Sequence, residues 1–282
     1  MKSKKRKPNV AVLRTAGTNC DRETVFAFNL AGARAELLHI NNFISSRKNL
    51  SDFDILAIPG GFSYGDDIAA GKILANELKY RLKDDILKFI ASNKLVIGIC
   101  NGFQVLVKAG ILPGSPDKKI KTLEQQVTLT TNDSDKFEDR WVYLRKTKGD
   151  RRNLPTGKAG TKYIWTKNLP EIISLPVAHG EGKFVAKDKQ TLEKLKRNGQ
   201  VIFQYCDEKG ELSGYPYNPN GSVDNIAGIC DETGRIFGLM PHPERHIYKI
   251  QSPLSSLSSR RFEYGDGFQI FINGVEYSRR NL

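Results

Sequence analysis

The first regular segment of the chain is a short, almost wholly apolar run, Asn9-Val10-Ala11-Val12-Leu13-Arg14, which closes on a polar turn at 15–19. An unbroken apolar run of this length fits a strand covered on both faces. Helical spacing follows from Cys20-Asp21-Arg22-Glu23 through Val25, Phe26, Phe28 and Leu30, with Gly32 as the stop. Residues 34–40 and 53–58 read as the second and third strands, the latter ending on Pro59-Gly60-Gly61. A helix-rich stretch over 66–92 leads to a fourth apolar run, Leu95-Val96-Ile97-Gly98-Ile99, and then to another helix. Strands alternating with helices predict a doubly wound, largely parallel α/β sheet flanked by helices.

The pattern changes after this helix. Period-two alternation is carried by Val127 and Leu129, then by Val142 and Leu144. Residues 177–185 and 200–206 read as strands on either side of a charged helix over 190–197. Residues 225–230 and 235–240 flank Asp231-Glu232-Thr233-Gly234, a hairpin signal, so antiparallel strands are added to the parallel sheet. Phe268, Phe271, Ile272 and Val275 recur at helical spacing, and 266–279 predicts a final packed helix. With no internal repeat and no linker, the expectation is a basic tail over 1–8 and a single domain over 9–282, interrupted by a basic loop insertion at 146–162.

Composition narrows the class of protein. A chain of 282 residues buries a sizeable core. No apolar run approaches the roughly 20 residues of a membrane span, and the basic N-terminus leads straight into a strand rather than into a signal peptide's apolar region. A cytoplasmic protein without a membrane partner is expected. The four cysteines, Cys20, Cys100, Cys206 and Cys230, are far apart and form no Cys-x-x-Cys pair, which argues against a zinc site or a disulfide framework. The net charge of +13 is local: residues 1–7 carry +5 and residues 145–167 carry +7, leaving the rest nearly neutral. Such segments serve solubility, or face a partner or a phosphate. A nucleic-acid-binding reading predicts strongly salt-dependent binding, but no recognition motif accompanies the charge.

The candidate chemistry centres on Gly98-Ile99-Cys100-Asn101-Gly102 at the end of the fourth strand. Gly-x-Cys-x-Gly between strand and helix is the cysteine form of a nucleophile elbow, in which small residues let strand and helix pack closely around a sharp bend. The helix N-terminus behind the sulfur favours thiolate. A base is supplied by Met240-Pro241-His242-Pro243-Glu244-Arg245, which follows another apolar strand. In extended backbone residues 242 and 244 point to one side, so Glu244 reaches the His242 imidazole, holds its tautomer and stabilises the imidazolium. Backbone N–H groups of Pro59-Gly60-Gly61-Phe62, with that of Asn101, are candidate oxyanion donors. His39 reads as structural, and His179 sits in a glycine-flanked turn. Among the other cysteines, Cys20 opens a helix with no base near it in sequence, while Cys206 and Cys230 read as core.

Taken together, Gly98 to Gln104, Pro59-Gly60-Gly61-Phe62-Ser63-Tyr64-Gly65-Asp66 and Pro241-His242-Pro243-Glu244-Arg245 resemble the class I (triad) glutamine amidotransferase family, and most closely the glutaminase subunits of phosphoribosylformylglycinamidine synthase. Gly17-Thr18-Asn19-Cys20-Asp21, Asn132 to Glu138, Ala178-His179-Gly180-Glu181-Gly182 and Asn218-Pro219-Asn220-Gly221-Ser222 are similar to the same subunits, in the same order. The resemblance implies a flavodoxin-like fold and glutamine hydrolysis by Cys100, with His242 as proton carrier and Glu244 as its orienter. It implies an oxyanion hole from Gly61 and Asn101, and a substrate pocket touched by Gly60, Phe62, Gln104 and His179. It further implies no cofactor in this chain, ATP and magnesium on a separate synthase subunit that takes up the ammonia, and leaves open a small third subunit. The second Asp of Gly65-Asp66-Asp67, the basic insertion and the segment 251–263 depart from compact members. An amidotransferase serving another synthase is the alternative among enzymes.

Overall fold

The computed structural model describes residues 6–114, 123–147, 163–253 and 263–282. Residues 1–5 of the basic tail, 148–162 of the basic insertion and 254–262 of the segment 251–263 lie outside the described residues.

Each strand of the first half is followed by a helix that covers one face of the sheet. In chain order the elements are β1 (Asn9–Arg14), α1 (Asp21–Leu30), β2 (Arg34–His39), a short α2 (Asn41–Ile44), β3 (Ile55–Ile58), α3 (Lys72–Tyr80), α4 (Lys83–Ala91), β4 (Leu95–Ile99) and α5 (Asn101–Lys108). They continue with β5 (Val127–Thr130), β6 (Glu138–Lys146), β7 (Ile172–His179), β8 (Lys183–Ala186), α6 (Lys189–Arg197), β9 (Val201–Cys206), β10 (Ile226–Cys230), β11 (Ile236–Leu239) and α7 (Phe268–Asn281).

Among the described residues the main sheet has nine strands in the order β2-β1-β3-β4-β11-β10-β9-β6-β7. Pairings from β2 to β11 are parallel; those from β11 to β7 are antiparallel. This is the doubly wound α/β sheet with an antiparallel extension that the pattern predicts. β3, β4 and β11 are buried at every position, as strands covered on both faces must be. The hairpin at 231–234 joins β10 to β11 as predicted, with Gly234 in the left-handed region at φ 74°.

Two expectations are corrected. Residues 177–185 form not one strand but the end of β7 and all of β8, which pairs with β5 in a separate two-stranded sheet. The break falls at Gly180-Glu181-Gly182, where the Gly182 N–H donates to Asn132 Oδ1 at 2.9 Å and a Cβ on Gly182 would stand 2.3 Å from the His179 ring. In α7, Phe268, Phe271 and Val275 face the core as expected, but the fourth large apolar side chain buried there is Ile270, and Ile272 is half-buried.

β4 lies between β3 and β11, all three parallel, with Gly98 opposite both Ile58 and Gly238. Their carboxyl ends therefore open at one place, the position where open parallel sheets gather their ligands. β1, the other neighbour of β3, ends at the same edge. No helix among the described residues is long and apolar enough to cross a membrane.

Candidate active site

The bend after β4 holds Cys100 at φ 51° and ψ −108°, a conformation that residues with a side chain rarely adopt. It persists because the surroundings are close-fitted. A Cβ at Gly98 would lie 2.5 Å from the Gly102 carbonyl oxygen, and one at Gly102 would lie 1.8 Å from the Ile58 carbonyl oxygen. The two glycines let α5 press on β3 and β4 while the turn forces Cys100 outward. The Cys100 N–H donates to the Leu239 carbonyl at 2.8 Å, and its sulfur donates to the Ala178 carbonyl at 3.6 Å. Asn101 is the first residue of α5, and N–H groups of a first helical turn have no acceptor within the helix.

β11 delivers His242 to the same place. Pro243–Arg245 is a single 3-10 turn rather than extended chain, yet it brings Glu244 onto the ring: Nδ1 donates to Glu244 Oε1 at 2.6 Å, with both side chains buried. A carboxylate only accepts, so Nδ1 keeps its proton and Nε2 is the nitrogen left to gain or lose one. Nε2 and Glu244 Oε2 are buried and take no hydrogen bond from the described residues. Burial opposes a charge on His242, but the Glu244 carboxylate first, and Cys100 next, outweigh it and hold the imidazole well above its ordinary pKa. Cys100 is thus close enough to act on the ring's protonation.

The Pro59-Gly60-Gly61 turn faces this ring. A Cβ on Gly60 would stand 2.7 Å from His242 Cε1, and one on Gly61, at φ 138°, would meet the 17–19 backbone at 2.7–2.9 Å. Only glycine fits either place. Phe62 is 45% exposed and stacks at 6.4 Å on Phe137, also exposed, at the rim. Gln104 is buried; its Nε2 donates to the Glu181 carbonyl at 2.5 Å and its Oε1 accepts from Asn101 Nδ2 at 3.0 Å. One N–H and one lone pair of the amide remain for a substrate. Asn101 Nδ2 also reaches Asp66 Oδ1 at 3.1 Å, which ties the loop after β3 to the elbow helix. Lys108, buried along α5, donates to the Ala70 carbonyl at 2.7 Å and pairs with Glu181 at 3.2 Å.

His179 is buried beside the site. Burial, and then the charge of His242, push its pKa down to about 3, so it stays neutral. Its Nε2 lies 3.4 Å from Asn220 Nδ2, which also donates to Tyr205 Oη at 3.2 Å. Asn132 Nδ2 donates to the His179 carbonyl at 2.8 Å. The Asn132 and Asn218–Ser222 segments therefore lie beneath the 179–182 turn. His39 instead caps residues after β2 by accepting from the Asn41 N–H, and His246 bonds to the Ser174 carbonyl at 2.7 Å; neither belongs to the cluster.

Cys20 has no base near it in sequence, but the fold brings it to His242. Its sulfur lies 3.8 Å from His242 Nδ1, 3.2 Å from Arg245 Nη2 and 3.1 Å from Asn19 Oδ1. Burial pushes the Cys20 thiol up to about 11, and the nitrogen it faces already bears a proton, so His242 has no lone pair to offer it. The signal that locates it is topological: β1 borders β3, so the loop after β1 opens at the same edge. Cys20, His242 and Glu244 place possible metal-ligand atoms within 4.8 Å of one another. The Arg245 guanidinium on the sulfur and the 2.6 Å hydrogen bond occupy that arrangement and oppose a cation there.

Comparison with known proteins bears on the family. The sequence matches the CobB/CobQ-like glutamine amidotransferase domain over residues 7–278. It is 42% identical over 284 residues to phosphoribosylformylglycinamidine synthase subunit PurQ of Methanococcus maripaludis, covering 96% of this chain and 97% of that one. With the PurQ of Archaeoglobus fulgidus it shares 45% over 278 residues, covering 95% and 96%. The fold superposes on a chain of the structure of PurLQS from Thermotoga maritima with a TM-score of 0.67 at 29% identity, covering 96% and 99%. The chain therefore belongs to the CobB/CobQ-like glutamine amidotransferase family and, within it, to the PurQ subunits of phosphoribosylformylglycinamidine synthase.

Proposed function

We propose that this chain is the glutaminase subunit of a phosphoribosylformylglycinamidine synthase, with Cys100 as nucleophile, His242 as base and acid, and Glu244 as orienter. The observation that carries the reading is the strained Cys100 elbow, set at the carboxyl ends of β3, β4 and β11 beside a buried His242–Glu244 pair. The Cys100 proton rests on His242 Nε2, so that thiolate and imidazolium stand together, and the sulfur attacks the side-chain amide carbon of glutamine. The oxygen that gains charge is met by the N–H groups of Gly61 and Asn101, each donor supplying about 3 kcal/mol of transition-state stabilisation. The C–N bond then breaks as the imidazolium returns its proton to the nitrogen, leaving ammonia and a γ-glutamyl thioester. Water, deprotonated by His242, attacks the thioester, and glutamate leaves with the thiol restored.

Gln104, Gly60, Phe62 and His179 shape the glutamine pocket in this reading: Gln104 with its remaining amide groups, His179 as a neutral wall. The hydrolysis uses the chain's own groups. ATP and magnesium belong to the synthase subunit, which aminates formylglycinamide ribonucleotide with the delivered ammonia; a small third subunit fits the same assembly. A cytoplasmic location goes with that reaction.

Cys100→Ala and Cys100→Ser in the assembled complex test the assignment. Glutamine-dependent product formation should fall to background while ammonia-dependent formation persists. Glutamine use that survives in the alanine variant would remove Cys100 from the reaction.

A further inference from the structure

Behind the imidazole lies a group of residues that the proposed reaction does not use. Cys20, at the mouth of α1, is buried to 1% exposure, with its sulfur in contact with both His242 and Arg245. Arg245 is half-buried, and its Nε lies 3.7 Å from Glu23 Oε1. It is adjacent in sequence to Glu244, whose Oε2 is buried and unpartnered among the described residues. The Glu244 charge is felt at Arg245, and a guanidinium that reaches such a carboxylate forms the stronger, two-pronged pair with it. Here it does not: Arg245 donates to the sulfur instead, and the sulfur lies within 4.8 Å of the carboxylate oxygen.

We infer that Cys20 is a positioning residue that keeps Arg245 off Glu244, so that the carboxylate's charge serves His242 alone. The inference rests on the glutaminase reading of Cys100 and His242. Its physical content is electrostatic. The titratable groups gathered around His242 are Glu244 and Arg245 from its own segment, Cys20 and Glu23 from the start of α1, Cys100 from the elbow and His179 from β7. Of these, the Glu244 carboxylate is the strongest support for the imidazolium. A guanidinium paired directly with that carboxylate would cancel much of its field, and His242 would lose its proton at lower pH. A neutral thiol is suited to the place. It accepts from Arg245 and donates to Asn19 without adding a charge.

The test is the pH profile of glutamine hydrolysis in the complex with the synthase subunit. Loss of the imidazolium sets the alkaline limb. In Cys20→Ala that limb should move down by about one pH unit, the lower end of what a charge at hydrogen-bond range confers. Cys20→Ser, whose hydroxyl accepts and donates at the same two places, should keep the wild-type limb. Cys20→Ala with Arg245→Gln should restore it, because the competing guanidinium is gone. An alanine variant slowed at every pH with an unmoved limb, or a double variant still shifted, would overturn the inference. If Cys20→Ala does not fold, Arg245→Gln alone carries the test: its limb stays or rises, and a fall overturns the proposal. Failure of the parent reading is told apart by Cys100→Ala, which retains glutamine hydrolysis only if that reading is wrong.

Discussion

Gly60→Ala adds one methyl group where the geometry leaves no room for it. The new Cβ would stand 2.7 Å from His242 Cε1, 3.3 Å from Nδ1 and 3.2 Å from Cys20 Sγ. Carbon–carbon contacts settle at about 3.5 Å or more, so the imidazole must retreat by roughly 0.8 Å. His242 is 2% exposed and held by Glu244 at 2.6 Å, so the retreat stretches that hydrogen bond or pushes the turn after β3 off the elbow. Gly60 lies outside the left-handed region, and the alanine adds bulk without backbone strain. Overpacking of this size costs about 1–3 kcal/mol of stability. The larger effect is on rate, since misplacing a reacting group by about 1 Å costs on the order of 100-fold. Glutamine-dependent and ammonia-dependent product formation, measured on the same complex, separate the two effects. The variant should melt a few degrees lower, lose about 100-fold with glutamine and keep its rate with ammonia. A wild-type glutamine rate in a correctly folded variant would refute the placement of His242 against this turn.

Two further variants probe the pair and its scaffold. Glu244→Gln removes the charge that holds the His242 pKa up, so the alkaline limb of the glutamine profile should move to lower pH; an unmoved limb would deny Glu244 its part. Stability follows the same sign: a raised folded pKa stabilises fully below the unfolded histidine value of about 6.5 and fades as pH rises through the folded value, so the wild type's advantage over Glu244→Gln in denaturant titrations should shrink at alkaline pH. Asn132 is 1% exposed, donates to the Lys136 and His179 carbonyls and accepts from the Gly182 N–H. Asn132→Ala strands those three backbone groups and should cost about 2–4 kcal/mol in urea unfolding, at about 1 kcal/mol or more for each; a loss under 1 kcal/mol would mean that water replaces the amide.

The parts of the site that were legible in sequence are those that local chain geometry decides. Gly98 and Gly102 flank Cys100 within one bend, and their need for space shows in spacing alone. His242 and Glu244 are two residues apart, so their contact is found even though the extended backbone assumed for it is in fact a 3-10 turn. The contact of Cys20 with His242 is not legible, because it spans 222 positions and depends on β1 lying beside β3, which no local pattern states. The break at 180–182 is hidden for a related reason: the alternation of β7 continues into β8, and the turn is held by residues of other segments, Asn132 and Ser222 among them. The parallel strands were legible because they are apolar throughout, whereas Ile270 and Ile272 exchange roles in α7 according to how that helix rolls onto the core.

The central claim, that Cys100 and not Cys20 attacks glutamine, is tested most directly by trapping the acyl-enzyme. The complex is mixed with glutamine, quenched in acid during turnover and digested, and the cysteine peptides are weighed. A glutamyl adduct on the peptide containing Cys100, absent from Cys100→Ala, is the predicted result. An adduct on the Cys20 peptide, or turnover with no adduct on any cysteine, would contradict it.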